Sequence, residues 1–374
     1  MIALKTIFAQ IENSMSEKDF IPSSYITLKE EGIVGYTSPS NIALVKYWGK
    51  RENQIPANPS ISFTLTACMT KTSVEYKKKI SKDNEFSFDL FFEDQPKEEF
   101  KPKIKTFLKR IEKYLPFLKE YHLVIKTSNT FPHSSGIASS ASGMSALALC
   151  FMEMERTFSA PITDDFFNNK VSFISRLGSG SACRSIEGPL VQWGETSSVE
   201  GSSSLFGVKY PYKVHDIFNN FHDTILLVDK GEKQVSSTVG HKLMHGHPFA
   251  SQRFEQAHEN LDKLRTILAE GNLNDFIGII ESEALTLHAM MMTSHPYFIL
   301  MKPNTLSIIN EIWKFRQTSN THVCFTLDAG ANVHVLYPEN EKDIVFPFIK
   351  EKLISFCQNG QYICDRIGLG AKKL

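Results

Sequence analysis

Between Tyr121 and Glu155 the chain runs YHLVIKTSNTF, PHSSGIASSASG and MSALALCFMEME in direct succession. The first segment reads as a strand, the second is almost wholly Ser, Gly and Ala, and the third is a long apolar helix. A strand that passes through a small-residue loop into a helix brings a helix N-terminus, with free N–H groups and partial positive charge, to the strand end. Small residues let a phosphate approach it, and hydroxyls add donors and Mg²⁺ ligands. Five serines lie between Pro132 and Gly143. A Ser-rich cap with a close helix crossing at Ala138 and Ala141 is the competing reading. The segment is not a Walker A loop, because no Gly-Lys-Ser/Thr follows at the required spacing.

Strand-like runs surround this unit at GIVGYTS, SISFTLT, KTSVEYKKKI, EFSFDLFFE and PLVQWGE, with helices expected at 104–114 and, capped by Thr163 or Asp164, up to Gly178. After His222 the composition changes: a strand HDTILLVDK, long helical patterns over 248–270, 273–290 and 304–317, two short strands at 322–327 and 332–337, a helix near 341–357 and a last strand, GQYICDRIG. Strands and helices mix without the rhythm of a doubly wound sheet. The expected class is α+β with two subdomains: an extension over 1–30, an N-terminal subdomain over 31–215 and a C-terminal one over 216–374.

Composition excludes some functions. Lys plus Arg equal Asp plus Glu at 41 each, which argues against a nucleic-acid surface but not against small anionic ligands. Six cysteines show no C-x-x-C pair, so buried free thiols in a reducing compartment are expected; Cys183 stands apart in an unusual loop. No apolar run approaches ~20 residues, and the first twenty residues do not read as a secretory signal. A cytoplasmic protein is the expectation.

Four further stretches bear on chemistry. In SPSNIALVKYWGKR, Lys46, Lys50 and Arg51 flank a glycine beside Tyr47, a cluster suited to a multiply charged anion. In SRLGSGSACRS a helix stops at Gly178, Ser179 to Ser181 turn tightly, and Ala182-Cys183-Arg184 are expected to open another helix; Arg184 could grip a carboxylate or phosphate in bidentate fashion. In EKQVSSTVGHKLMHGH, His241 and His245 have metal-pair spacing, but no H-E-x-x-H motif is completed and a partly exposed mobile loop is the preferred reading. His288 and the methionines at 290–292 read as core or cleft lining. Finally, Asp328 ends an apolar strand in THVCFTLDAGANVHVLYP, where an unpaired carboxylate would be costly. The set suits phosphoryl transfer from a nucleotide, which is mostly positioning and neutralisation of charge. The fragment GSGSA is not a G-x-S-x-G nucleophile elbow.

PHSSGIASSASG resembles the phosphate-binding motif of the GHMP small-molecule kinases. Together with NIALVKYWGKR, SRLGSGSACRS, VSSTVG and LDAGANVH it is similar to the diphosphomevalonate decarboxylase family of that superfamily, over residues 36 to 335 and more weakly to the end. The resemblance implies a two-subdomain GHMP-kinase fold with its active site in the cleft, ATP and Mg²⁺ as cofactors, mevalonate 5-diphosphate as the small-molecule substrate, no nucleic-acid or membrane partner, and a homodimer. It implies Asp328, Lys46 and Arg184 as catalytic residues. Tyr47, Lys50, Ser179, Ser181, Arg184 and Ser237 would bind substrate; Asn129, Ser135, Gly136, Ala138, Ser139 and Ser140 would hold the nucleotide, with Ser140 also beside Mg²⁺. Ala329 and Gly330 would be small to leave room where the C3 hydroxyl and γ-phosphate meet. The chain departs from the family at Gln54, Pro59 and His241 and in the extension. Relatives acting on mevalonate 5-phosphate or 3,5-bisphosphate, or only as mevalonate 3-kinases, are the nearest alternatives; a non-catalytic binding protein is the alternative from another class.

Overall fold

The computed structural model describes residues 15–80, 83–132, 137–230 and 237–374, with the side chains of 237 and 238 outside that description. The described part of the extension packs on the core. Its short 3₁₀ turn, Glu17–Phe20, buries Phe20 completely, stacked on Phe173 at 4.6 Å.

Two long strands follow, β1 (Glu31–Val45) and β2 (Ser60–Lys78), paired antiparallel. SISFTLT and KTSVEYKK, expected as separate strands, are one strand here. The pairing is Asn41 with Thr64 and then Pro39 with Met69, so the residues between Thr64 and Met69 bulge out. Pro39 has no N–H to give a ladder, which suits a bulge at that point. The displaced N–H groups still need acceptors. The carboxylate of Asp365 takes those of Thr66, Ala67 and Cys68 at 2.7–2.8 Å.

Strands β3 (Ser87–Phe92) and β4 (Gln95–Pro96), helix α1 (Lys101–Ile111) and strand β5 (Tyr121–Asn129) come next. Pro102 in its first turn starts α1 earlier than the apolar spacing suggested, and Ile104, Phe107, Leu108 and Ile111 form its buried face. Helices α2 (Ser139–Phe158) and α3 (Asp164–Gly178) follow, the latter capped by Thr163, whose hydroxyl accepts from Phe166 N–H at 3.2 Å. Strands β6 (Leu190–Trp193) and β7 (Gly207–Lys209) complete this half. The sheet runs β1-β2-β5-β3-β4, with β6 and β7 continuing from β2; β3 and β5 are parallel, the other pairs antiparallel. Met144, Leu147, Phe151 and Phe158 of α2 are buried with the α1 and α3 residues in one core, each such side chain contributing about 1.5–3 kcal/mol.

The second half contains β8 (His222–Leu226), α4 (Ser237–Lys242), α5 (Ala250–Glu270), α6 (Leu273–Met292), α7 (Pro303–Ser319), β9 (Cys324–Thr326), β10 (Val333–Tyr337), α8 (Lys342–Phe348) and β11 (Tyr362–Arg366). Its sheet is antiparallel, ordered β11-β8-β10-β9. The helix expected over 341–357 loses regularity after Pro347, widening through Ile349–Leu353 and tightening to Phe356. A final short strand, β12 (Lys372–Lys373), returns to pair with β1.

The class is therefore α+β. A shared core joins the halves: Ile42, Leu44, Ile61 and Phe63 of β1 and β2 are buried with Leu261, Leu264 and Ile280 of α5 and α6. The residues just past β1 and β9, Lys46 and Asp328, meet across this join. No helix of the described residues is long and apolar enough to cross a membrane.

Candidate active site

The N-terminus of α2 is entered through Ala138, at φ 42° and ψ 34°. That left-handed conformation is strained for a residue with a Cβ and occurs at sites where surrounding structure imposes it. Ser139 and Ser140 then begin the helix, both partly exposed, and their N–H groups precede the first helical hydrogen bond. Ser140 Oγ lies 3.4 Å from Ser179 Oγ. Asn129, at the end of β5, accepts from Thr70 Oγ1 at 2.7 Å, and with Ser139 and Ser140 it lines a hollow walled by Leu90, Phe92 and Met144. Ser135 and Gly136 lie outside the described residues.

Beyond β1 the chain turns through Lys46–Lys50. Lys46 is 1% exposed, yet its Nζ donates to Asp328 Oδ1 at 3.1 Å. Burial pushes the ammonium below its ordinary value, while Asp328 and then Glu283 push it back up. Tyr47 is wedged between Trp193 and His241, with ring centroids at 4.7 and 4.2 Å, and its buried hydroxyl has no partner among the described residues. Burial raises that phenol's pKa. Lys50 is half-buried and donates to Gln54 Oε1 at 3.0 Å, so Gln54, where the chain departs from the family, holds this lysine in place. Burial lowers Lys50, as do Arg110 and Lys242.

Arg184 is 3% exposed. The helix expected to begin at 182 is only a 3₁₀ turn, Gly180–Ser185, because the chain is redirected within a few residues into β6. That turn still delivers the guanidinium. Nη1 donates to Ser60 Oγ, Nη2 reaches Asn41 Oδ1 at 3.5 Å, and Nε has no partner among the described residues. Among the described residues no carboxylate pairs with it. Burial lowers its pKa, a penalty that an incoming anion would offset.

Asp328 follows β9 and its side chain is 30% exposed. Its carbonyl accepts from His288 Nε2 at 3.1 Å and from Gly330 N–H at 2.7 Å. Burial pushes His288 down to about 4, so it is a neutral donor that fixes the turn carrying the carboxylate. Lys46, Tyr47, Ser140, Ser181, Arg184 and Asp328 line a single cavity, and Ala329 forms part of its wall. A methyl group at Gly330 would meet open space, and Gly330 is not among the residues lining that cavity. Ser237 begins α4.

The exposed-loop reading of His241 is overturned. The imidazole is buried against Tyr47 and Trp48, its Nδ1 accepts from Gly49 N–H at 3.0 Å, and it lines the same cavity. Burial, then Lys50 and Arg184, push it down to about 3. No local signal announces this burial, because the covering rings, Tyr47 and Trp48, come from a distant segment. Cys183 is also ordinary: its buried thiol donates to Gly180 O and burial pushes its pKa up to about 12.

The donor set fits a nucleotide with Mg²⁺. Hydroxyl oxygens at a helix start are hard ligands, and Mg²⁺ commonly takes most of its shell from phosphates and water.

Comparison with known proteins covers most of the chain. Residues 38–206 match the diphosphomevalonate decarboxylase-like N-terminal domain, and 224–367 match the mevalonate 5-diphosphate decarboxylase C-terminal domain. The diphosphomevalonate decarboxylase of Saccharomyces cerevisiae is 28% identical over 335 residues, 84% of this chain and 80% of that protein. That of Aspergillus fumigatus is 28% identical over 330 residues, 84% of this chain and 79% of that protein. Among solved structures, MDDEF in complex with MVAPP, AMPPCP and magnesium superposes with TM-score 0.78 at 25% identity, covering 92% of this chain and 99% of that one. A mevalonate diphosphate decarboxylase from Legionella pneumophila gives 0.73 at 28% identity, covering 87% and 99%.

Proposed function

The chain belongs to the diphosphomevalonate decarboxylase family, its reaction is the ATP-dependent decarboxylation of mevalonate 5-diphosphate, and we propose that the residues gathered around Asp328 carry it out. The products are isopentenyl diphosphate, ADP, phosphate and CO₂. The observation that carries the residue assignment is a buried guanidinium, Arg184, with no carboxylate partner among the described residues, lining one cavity with the Lys46–Asp328 pair.

A tertiary alcohol is a poor leaving group, so its oxygen must first take the γ-phosphoryl group. Asp328 accepts the C3 hydroxyl hydrogen bond, aligns the oxygen for that attack and takes its proton as the new O–P bond forms and ADP leaves with the electron pair of the broken one. Lys46, a cation held beside it, neutralises charge gathering on the transferred group. The C3–O bond then breaks, phosphate leaves with that electron pair, and the C1–C2 pair becomes the C2–C3 double bond as CO₂ departs. For this the substrate carboxylate must stay ionised and point along the breaking bond. Arg184 does both through its planar fork. Tyr47 and Lys50 hold the diphosphate end together with Ser179, Ser181 and Ser237, and the start of α2 with Asn129 holds ATP. Mg²⁺, when bound near Ser140, supplies charge neutralisation at the phosphates.

A buried guanidinium whose Nε is unpartnered among the described residues supports this reading over a kinase without elimination, because only the elimination requires the substrate carboxylate to be kept ionised and oriented. Following ADP and CO₂ together with mevalonate 5-diphosphate and with mevalonate 5-phosphate tests it. Equal release of both from the diphosphate is expected, whereas ADP without CO₂ would reject it. We further propose a cytoplasmic homodimer, to be checked by sedimentation.

A further inference from the structure

We propose that Glu283 and Arg253 form a clasp that positions the Lys46 backbone, and through it the Lys46 ammonium, against Asp328. The inference rests on the assignment of Lys46 to the reacting centre.

Lys46 follows the last paired residue of β1, Val45, so no strand ladder fixes its peptide groups. Side chains fix them instead. Its N–H donates to Glu283 Oε2 at 2.8 Å; its carbonyl accepts from Arg253 Nη2 at 3.1 Å and from Asn58 Nδ2 at 2.9 Å. Glu283 is wholly buried on α6, and Arg253 is 2% exposed on α5. They form a two-point pair, Nη1 to Oε1 at 3.0 Å and Nη2 to Oε2 at 2.5 Å, and Asn260 Nδ2 donates to Oε1 at 2.6 Å. The carboxylate thus receives four hydrogen bonds, three of which assemble it for the fourth, at Lys46.

Lys46 leaves the N-terminal sheet, whereas Asp328, α5 and α6 belong to the C-terminal half. The clasp therefore ties the lysine backbone to the same body that carries its partner carboxylate. Motion between halves would otherwise enter the Lys46–Asp328 distance directly, and an error of ~1 Å at a reacting centre costs about 10²-fold in rate. A buried pair is poor support for stability as such, because apolar residues of equal volume often do as well. Its bonds to the peptide groups of an active-site lysine give it a specific use.

The groups acting on the Lys46 ammonium are Asp328, Glu283 and Arg184, with neutral His288 beside them, while Arg253 meets the lysine's carbonyl. Glu283→Gln keeps an acceptor but leaves the Arg253 cation uncompensated. We expect kcat to fall 10- to 100-fold with both KM values within threefold, and the ¹⁵Nζ titration of Lys46 to move to lower pH. Glu283→Asp retracts the carboxylate while keeping its charge, so kcat should fall without that titration shift. Should Glu283→Gln fail to fold, Asn260→Ala removes one supporting hydrogen bond, with a three- to tenfold loss expected. Wild-type kcat in a folded variant, or a loss tracking the unfolded fraction with Lys46 titrating normally, would overturn the clasp. The absence of CO₂ release by the unaltered protein would instead overturn the functional reading, and the Lys46 titration would still decide the clasp.

Discussion

Asp328→Asn removes one charge and changes little in shape, so its consequences can be worked from the Lys46–Asp328 pair. At 3.1 Å and an effective dielectric near 20, the gross attraction is about 5 kcal/mol. Asparagine still accepts a hydrogen bond, and the lysine can shed its proton, so the net loss is smaller, about 2–4 kcal/mol where the ammonium persists. The pH dependence follows from the direction of the lysine shift. Burial holds Lys46 below the ordinary value of 10.5, and Asp328 is the largest influence pushing it back up. Between its folded and unfolded values the unfolded chain binds more protons, so stability rises with pH in that window. Without Asp328 the folded value drops further, the window opens at lower pH, and the penalty below it grows. Denaturant melts should therefore show a larger deficit for Asp328→Asn at pH 6 than at pH 9.

Turnover should fall about 10²- to 10⁴-fold, the range for loss of a positioned acid or base. A stability deficit equal at both pH values would refute the view that Lys46 is held charged by Asp328. Turnover within a few-fold of wild type, with folding intact, would refute the assignment of Asp328.

Arg184→Lys keeps the charge but loses the fork, so CO₂ release should fall about 10²-fold, and more than ADP formation does; an unchanged ADP to CO₂ ratio would count against carboxylate orientation by Arg184. Cys183, with its thiol pushed up to about 12, should resist iodoacetamide at pH 8 while the exposed Cys364 reacts; peptide mapping that finds Cys183 labelled first would contradict its burial.

The residues legible in the sequence were those whose type conflicts with their local surroundings. Asp328 closing an apolar strand, five serines before a helix, and cations bracketing Tyr47 and Trp48 all stand out within a few positions. The fold class was legible for a similar reason, since runs of strands and long helices leave few layer arrangements. The long β1–β2 pairing was not, because its bulge is satisfied by Asp365, roughly three hundred residues away, and local pattern carries no such information. His241 was misread because a histidine among glycines and lysines resembles a surface loop until aromatic rings from another segment cover it. The clasp residues lie between these cases. Arg253 shares a helix face with Ala257, Asn260, Leu261 and Leu264, and Glu283 falls among Phe276, Ile280, Ala284 and Leu287. A charged residue inside an apolar stripe either pairs across the interface or costs several kcal/mol. Two such residues, on consecutive helices of opposite charge, therefore predict each other as partners. What they hold, the peptide of Lys46, follows only once the end of β1 is seen to stop beside them.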